Sequence, residues 1–263
     1  MESEVERFPI LRFTREGRSS IQGEVARELP VTIILNNQEL VTMLCSPKNL
    51  DYLVVGFLSS EGFLKSKDEI KKIVVDDERG VVRLETVENK ELAQDVLFKR
   101  IISSGCGRGA SFYSTADAAS QKVESRMEIS TDEVFALVNE FQHGSQLYLA
   151  THGVHSAALC DRKSILIFSE DIGRHNAIDK IFGKCLLENI PTDNRVVITS
   201  GRITSEILHK VARRGIPIII SISAPTNLGV RIADSLGITL LGFVRGKRIN
   251  AYTNNWRIVH DGK

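Results

Sequence analysis

The sequence is poor in the features that build disulfide scaffolds, structural zinc sites and membrane spans. Its four cysteines, Cys45, Cys106, Cys160 and Cys185, are scattered over 263 residues, with no C-x-x-C pair and no cysteine/histidine cluster at zinc-ligand spacing. No apolar run approaches the roughly 20 residues that a membrane helix needs, and the acidic start MESEVER lacks the apolar core of a signal peptide. We therefore expect a cytoplasmic protein with reduced thiols, no bound metal and no membrane contact.

An excess of one charge sign is also absent. The 34 Lys and Arg residues nearly balance 33 Asp and Glu, for a formal net charge of +1, so no chain-wide field favours nucleic acid. The balance is uneven along the chain, because residues 195–263 hold 11 Lys and Arg but only 3 Asp and Glu. This basic stretch is either a solvated face or a local anion site. A hydrophobic fraction of 42% and a charged fraction of 25% exclude a disordered or collagen-like chain.

The first hundred residues predict a small α+β unit. Two pairs of β-rich runs surround turn residues: 31–35 and 40–44 around Asn36-Asn37, and 72–76 and 81–85 around Arg79-Gly80. Between the pairs, Ser46 and Pro47 predict a helix start, and Gly62 predicts the end of that helix. The small, glycine-containing segment 103–120 then has the composition of an exposed loop near a domain boundary.

The second half predicts an α/β domain. Ser130 and Glu133 fit a capping box that opens a helix ending at Gly144. Strand-like runs at 165–168, 195–199, 216–222 and 239–244 then alternate with helical segments at 176–187, 205–214 and 227–236. This alternation predicts a mostly parallel sheet covered on both faces. We predict a domain of residues 1–125, which includes the cysteine loop, and a domain of residues 126–263.

A nucleophilic thiol is indicated by the segment SGCGRG at 104–109. Glycines on both sides leave the Cys106 sulfur without shielding side chains, and Arg108 favours its thiolate. Gly109 stands where a C-x-x-C motif would have its second thiol, so a dithiol cycle within this loop is excluded. Covalent catalysis or carriage of a persulfide remains, against the alternative of an unreactive cysteine in a loop.

Two histidine-containing segments could also carry chemistry. His152 and His155 are three residues apart, but such pairs are common and predict no metal site. The segment 169–176 follows a strand and opens a helix, where free N–H groups attract anions, and it adds Arg174 and His175 at that point. The alternative is a helix start at which Glu170 and Asp171 pair with Arg174.

Three predicted parallel strands end in polar or basic residues that could converge on one crevice. These residues are Ser200 and Arg202 after one strand, Ser223 after the next, and Phe243, Val244, Arg245, Gly246, Lys247 and Arg248 after the last. Hydroxyl and cationic groups suit phosphate, and the Phe243 ring offers a surface for a purine. The phosphate-binding patterns G-x-x-x-x-G-K-[ST] and G-x-G-x-x-G are missing, so an ordinary NTPase or Rossmann dehydrogenase is not expected.

These segments together resemble the FdhD family of formate dehydrogenase accessory proteins. The resemblance covers most of the chain: 30–35, GFLSSEG at 56–62, SGCG at 104–107, 151–159, EDIGRHNAIDK at 170–180, 200–202, SAPT at 223–226, and GFVRGKRIN at 242–250. It implies a sulfur carrier that takes sulfur from a cysteine desulfurase as a persulfide on Cys106. The sulfur would pass to the molybdenum bis-molybdopterin guanine dinucleotide cofactor before that cofactor enters formate dehydrogenase.

The resemblance also implies a fold similar to that of cytidine deaminases and a homodimer. The segment from Phe243 to Arg248 would bind the cofactor, and a nucleotide such as GDP could take the place of the cofactor there. Deaminase chemistry is not expected, because the sequence has neither H-x-E nor P-C-x-x-C. Family members often carry C-x-x-C where this chain has Gly109, so Cys106 would work alone as a sulfurtransferase-type carrier rather than as a turnover enzyme.

Two other functions remain open from the sequence. One is a cysteine hydrolase with Cys106 as nucleophile and His152, His155 or His175 as base. The other is a non-catalytic chaperone that escorts the guanine-nucleotide cofactor and does not need Cys106.

Overall fold

The computed structural model describes residues 3–88, 100–102, 110–112 and 122–260. Its strands are β1 (Val5–Thr14), β2 (Gly17–Ala26), β3 (Leu29–Leu35), β4 (Gln38–Cys45), β5 (Ile70–Asp76), β6 (Val81–Thr86), β7 (Arg100–Ile102), β8 (Ala110–Phe112), β9 (Ile129–Ser130), β10 (His155–Cys160), β11 (Ile165–Asp171), β12 (Val196–Thr199), β13 (Ile218–Ser221), β14 (Thr239–Arg245), β15 (Arg248–Thr253) and β16 (Ile258–Val259). Its helices are α1 (Leu50–Ser60), α2 (Thr131–Gly144), α3 (Gln146–Thr151), α4 (Arg174–Leu187), α5 (Ser205–Arg213) and α6 (Asn227–Ser235).

The chain starts with a two-stranded ribbon that the sequence patterns did not predict. Strands β1 and β2 pair antiparallel over their whole length, from Val5 opposite Ala26 to Thr14 opposite Gly17, and they pair with no other described strand. The sequence patterns missed the ribbon because β1 lacks the usual alternation of buried and exposed residues. Every β1 residue after Val5 is exposed.

The predicted α+β unit follows, as a four-stranded sheet in the order β4-β3-β6-β5 that packs against α1. The predicted hairpin turn is confirmed, since Asn36 and Asn37 take φ values of 49° and 63°, which asparagine tolerates well. The predicted helix start is wrong. Asn49 rather than Ser46 precedes α1, and its side chain makes no capping bond.

A six-stranded sheet forms the second half, in the order β11-β10-β12-β13-β14-β15. The prediction of a mostly parallel sheet is correct only for its centre, where β12, β13 and β14 run parallel. The other three pairings are antiparallel. They join β10 to β11, β10 to β12 and β14 to β15. Strand β10 was missed because its small residues resemble a loop, and β15 because its polar residues are mostly exposed. The deaminase-like description stays a prediction.

Helices α2, α4, α5 and α6 begin and end close to their predicted limits, whereas the short α3 was not predicted. Ser130 and Glu133 form the capping box of α2, with Glu133 N–H donating to Ser130 Oγ at 3.2 Å and Ser130 N–H donating to the Glu133 carboxylate at 2.8 Å. The predicted left-handed residues after α5 and α6 are confirmed as well. Gly215 and Gly237 have φ values of 64° and 69°, which suit glycine.

The two halves meet where α1 crosses α4. Gly56 and Gly183 face each other there so closely that a Cβ on Gly56 would lie 1.8 Å from the Asp179 carbonyl oxygen. Leu186 of α4 belongs to the same apolar core as α1 and the N-terminal sheet. The residues of the crossing therefore join two sheets, and the division of the chain at residue 125 stays a prediction.

The segment predicted to carry the reactive cysteine lies outside the described residues, and so does Cys106 itself. The strands on either side of it, β7 and β8, pair antiparallel from Arg100 opposite Phe112 to Ile102 opposite Ala110. Across the part of the chain that is described, none of the helices combines the length and apolar character needed to cross a membrane.

Candidate functional site

The carboxyl ends of the central parallel strands open into one cleft of about 650 Å³. Three of the predicted site residues, Ser200, Ser223 and Arg245, line it, one from the end of each strand. The remaining walls come from α2, α3 and the segments beside them: Phe141, Gln142, Ser145, Tyr148, Leu149, His152, Gly153, Val154, His155, Ser156, Ile172 and Ile222. The structure thus brings together the three strand ends that the sequence placed at one edge of a sheet.

Ser200 is held in the cleft by the neighbouring strand β10. Its backbone N–H donates to the Ser156 carbonyl oxygen at 2.9 Å, and its Oγ accepts the Ser156 N–H at 3.0 Å. The same Oγ lies 3.3 Å from Nδ1 of His155. Burial and the nearby positive charges of Arg174 and Arg202 lower the pKa of His155, so this imidazole is neutral at neutral pH and can accept the Ser200 hydroxyl hydrogen.

Strand β14 is irregular around Phe243, where the β14–β15 register shifts between Gly242 and Arg245. Phe243 has a φ of 57°, unusual for an aromatic residue, and its N–H donates to the Ser223 carbonyl oxygen at 2.8 Å. The guanidinium groups of Arg245 and Arg248 lie 4.8 and 4.9 Å from the centre of its ring. The ring predicted to stack on a purine is therefore engaged by two cations, whose planar groups can themselves stack on a base.

Arg245 links this bulge to the cleft, since its Nε donates to the Ile222 carbonyl oxygen at 3.1 Å. Lys247 and Gly246 form the exposed turn that follows, with Gly246 at a φ of 57°. Val244 is fully buried in the apolar core, so its side chain faces away from any ligand of the cleft.

The start of α4 does not offer the exposed cations that its sequence suggests. Arg174 is 8% exposed and its stem packs against Gly201, where a Cβ would lie 2.8 Å from the Arg174 Cβ. His175 is largely buried 3.4 Å from Glu206, and burial and the charge of Lys210 hold its pKa well below the usual value. Arg202 is exposed on the loop above them but does not line the cleft.

The acidic residues of the same segment are structural and do not follow the alternative pairing with Arg174. Asp171 forms a buried ion pair with Lys180 at 2.7 Å and accepts the Ser46 N–H at 3.0 Å. The Ser46 hydroxyl accepts the Ile172 N–H at 3.1 Å. Ser46, predicted as a helix cap, instead anchors the N-terminal unit to the end of β11.

A second buried pair involves Asp179, the residue of α4 that directly precedes Lys180. Asp179 contacts Lys210 at 2.5 Å and accepts the Ser60 hydroxyl at 2.7 Å. Nearby, Arg213 donates to the Ser60 carbonyl oxygen and Arg214 to the Ser59 hydroxyl. Asp171, Asp179 and Lys180 of the EDIGRHNAIDK segment therefore hold the two halves of the molecule together, while Ile172 of the same segment lines the cleft.

Sequence reasoning missed the role of Glu170 and the short helix α3 that this side chain supports. The Glu170 carboxylate accepts the N–H groups of Leu147 and Tyr148 at 3.1 and 2.9 Å, which fixes the start of α3 beside the cleft. Only its place after a strand could have indicated such a role. His152 ends α3 at a φ of 53°, edge-on to Tyr148, and no group of three or more metal-ligating residues forms within the described ranges.

Cys45, Cys160 and Cys185, the cysteines that the structure describes, are all buried. Burial raises the pKa of Cys45 and of Cys160 to about 12 and that of Cys185 to about 11. These thiols are protonated and shielded at neutral pH, which makes them unreactive.

Part of the basic C-terminal stretch is also structural. Besides Lys210, Arg213 and Arg214, the buried Arg257 donates to the carbonyl oxygens of Val123, Ser125 and Gly237. The exposed cations that remain near the cleft are concentrated at Arg202 and the β14–β15 turn.

Comparison with known proteins decides the family. The family model of the FdhD/NarQ family matches residues 26–259. The chain belongs to the FdhD/NarQ family. It is 43% identical over 260 residues to the sulfur carrier protein FdhD of Bacillus pumilus strain SAFR-032, covering 98% of this chain and 99% of that one.

Other FdhD/NarQ relatives agree in length and fold. The FdhD proteins of Bacillus subtilis strain 168 and Staphylococcus aureus strain MRSA252 are 41% and 39% identical, each with 95% of both chains covered. A crystal structure from Desulfotalea psychrophila, assigned as a formate dehydrogenase accessory protein, superposes with a TM-score of 0.81 at 28% identity. It covers 98% of this chain and 100% of the other.

Proposed function

We propose that this protein is a sulfur carrier in formate dehydrogenase maturation. It takes sulfur from a cysteine desulfurase as a persulfide on Cys106 and transfers it to the molybdenum bis-molybdopterin guanine dinucleotide cofactor. The observation that carries the proposal is its near full-length similarity to proteins named as sulfur carriers. The cleft at the ends of β12, β13 and β14, with its hydroxyl groups and Arg245, supports it.

The distribution of thiols supports Cys106 as the carrier. The other three cysteines are buried and have raised pKa values, whereas Cys106 has glycine on both sides and Arg108 two residues on. In the loading step the Cys106 thiolate attacks the outer sulfur of the desulfurase persulfide. A new S–S bond forms, the old one breaks, and the desulfurase thiolate leaves, so no electrons are gained or lost overall.

Delivery differs from loading because the carried sulfur becomes sulfide and takes up two electrons. A partner thiol at the C-x-x-C position could supply them by forming a disulfide with Cys106, but this chain has Gly109 there. We infer that an external thiol reductant supplies the electrons and is oxidised to its disulfide.

The cleft is suited to the guanine nucleotide end of the cofactor, which is the substrate here. Its volume of about 650 Å³ lies within the range of about 300–1,000 Å³ typical of small-ligand sites. Arg245 supplies a cation, and Ser200 and Ser223 supply hydroxyl groups for phosphate oxygens. The sequence also suggested four other side chains for this binding role: Arg174, His175, Lys247 and Arg248. Of these, only Lys247 and Arg248 are exposed.

The test is intact-mass spectrometry after incubation with a cysteine desulfurase and cysteine. We expect the wild type to gain one sulfur atom that a reductant removes, and the Cys106→Ala variant to gain none. The Cys185→Ala variant is the matched control and should load normally, because its thiol is buried. Sulfur on Cys106→Ala would overturn the assignment of the carrier site to Cys106, and sulfur on neither protein would overturn the carrier function.

The cofactor chaperone is the second candidate, favoured by the cleft itself. Titration with GDP measures nucleotide binding separately from sulfur loading. Arg245→Gln should weaken GDP binding about 10- to 100-fold, because a charge-assisted contact is lost. Arg231→Gln, an exposed cation on α6 away from the cleft, should bind as the wild type does. Equal affinities of all three proteins would contradict the assignment of the cleft. Full maturation of formate dehydrogenase by Cys106→Ala would favour the chaperone.

We further propose that the protein works in the cytoplasm as a homodimer. Its partners would be a cysteine desulfurase and formate dehydrogenase, with no role for nucleic acid. The near-balanced charge of the chain supports the absence of nucleic-acid binding.

A further inference from the structure

The short helix α3 forms one wall of the cleft but has little apolar packing of its own. Of its six residues only Leu147 is buried, while Tyr148 and Leu149 are 40% and 55% exposed. Isolated helices shorter than about 12 residues are marginal in water, and the side chain of Ser145, which precedes α3, makes no capping bond. The position of α3 therefore depends on contacts from elsewhere in the fold.

Glu170 on strand β11 supplies such contacts. The two oxygens of its carboxylate accept separate N–H groups in the first turn of α3, from Leu147 at 3.1 Å and from Tyr148 at 2.9 Å. N–H groups in the first turn have no partner inside their own helix, and a negative charge at that end stabilises the helix. Glu170 thus takes the place of the missing side-chain cap.

The same carboxylate is linked to the strand end that carries Ser200. Glu170 stands opposite Ser156 in the β10–β11 pairing, and Ser156 Oγ lies 3.5 Å from Glu170 Oε1. Ser156 is 2% exposed and bonds Ser200 through both its carbonyl oxygen and its N–H group. One carboxylate therefore contacts α3 directly and the strand end of Ser200 through Ser156.

The Glu170 backbone is held firmly by the fold, and its side chain does not line the cleft. Pairing with β10 fixes its strand, and its carbonyl oxygen accepts a hydrogen from the buried Lys180 ammonium at 3.4 Å. A group placed in this way acts on a ligand only through the residues that it holds. A site that is already formed before its ligand arrives has a lower cost of binding.

We propose that Glu170 is a positioning residue for nucleotide binding, which holds α3 beside Ser200 so that the cleft is formed before the guanine nucleotide enters. The inference rests on the proposed function, which assigns a nucleotide to the cleft, and it adds a residue that contacts no ligand. Without this carboxylate, the N–H groups of Leu147 and Tyr148 lose their acceptor. The wall at α3 must then become ordered in each binding event.

Titration with GDP tests the positioning role. Glu170→Ala should raise the GDP dissociation constant about 10-fold, because the ordering of α3 then consumes part of the binding free energy. Glu170→Gln keeps one acceptor oxygen for one N–H group, so its dissociation constant should lie between those of the wild type and Glu170→Ala. This conservative variant also provides the test if the alanine variant does not fold.

Glu133→Ala is the matched control. Glu133 is also a carboxylate at the start of a helix, where it accepts the Ser130 N–H at 2.8 Å, but it does not line the cleft or contact α3. Its loss should lower the melting temperature and leave the GDP affinity unchanged. Equal weakening of GDP binding by Glu133→Ala and Glu170→Ala would reflect a general loss of stability and would overturn the positioning role.

Hydrogen exchange of backbone amides, followed by mass spectrometry, provides a second readout. In both Glu170 variants the amides of residues 146–151 should exchange about 3-fold faster or more, whereas those of α4 should keep their protection because the change is local. Unchanged exchange in α3 would contradict the proposal. Equal GDP affinity of the wild type and both Glu170 variants would overturn this inference alone, whereas a wild type that binds no GDP would overturn the nucleotide assignment of the cleft as well.

Discussion

At the residue scale, burial separates the groups of the EDIGRHNAIDK segment that support the fold from those that could face a ligand. The sequence indicates correctly that the segment follows a strand and opens a helix. It does not indicate that Asp171, Asp179 and Lys180 are buried in ion pairs, or that His175 is turned into the protein beside Glu206. Which charges are buried depends on contacts with α1 and α5, which are distant in sequence.

A pH-dependent stability follows from the buried histidines. An unfolded histidine titrates near pH 6.5, whereas folding lowers the pKa of His175 and of His155. Below about pH 6.5 the unfolded chain therefore binds more protons than the folded one, and the free energy of unfolding falls as the pH falls.

Urea unfolding between pH 5 and 7 should show this fall, with a shallower slope for the His175→Gln variant. Carboxylates contribute mainly below this window. His143→Gln, a substitution at an exposed site on α2, should keep the wild-type slope. A His175→Gln slope equal to the wild-type slope would refute the contribution of this side chain.

At the scale of elements, local signals predicted the β3–β4 and β5–β6 hairpins, the capping box of α2 and the helices α4, α5 and α6. These features depend on neighbouring residues, such as the Asn36-Asn37 turn. The close crossing of α1 and α4 could not be predicted in the same way. Gly56 and Gly183 are 127 positions apart in the numbering, and only the folded structure shows that each leaves room for the backbone of the other helix.

Replacement of either glycine should therefore be costly. A Cβ on Gly56 or Gly183 would lie 1.8 Å from a backbone oxygen, of Asp179 or Tyr52 respectively, so the helices must separate. We expect Gly56→Ala to reduce the free energy of unfolding by about 3 kcal/mol or more, at or above the usual range for overpacking.

Denaturant unfolding provides the measurement, with Gly144→Ala as control. At Gly144 the nearest atom to a Cβ is on the Phe168 ring at 3.5 Å, an ordinary contact, and alanine suits a helix better than glycine does. The control should be neutral or slightly stabilised. Similar losses at both positions would show that the crossing is looser than its geometry indicates.

At the scale of the whole molecule, the sequence predicted an α+β part, an α/β part and a basic final stretch. Strands β10 and β15 of the large sheet were harder to predict, because they lack the continuous β-branched pattern of the central strands. The three strand ends that line the cleft were predictable, since polar residues follow buried strands at Ser200, Ser223 and Arg245. Several basic residues, Arg257 among them, instead bind backbone carbonyl groups inside the molecule.

The contacts of the last described residues have a consequence for synthesis on the ribosome. Strand β16 pairs with β9, and Arg257 binds the backbone at Val123, Ser125 and Gly237. A nascent chain that still lacks residues 257–259 leaves those carbonyl groups and β9 without these partners. The second half therefore completes its fold only once residues 257–259 have been made and have left the ribosome, whereas the hairpins of the first half can form earlier.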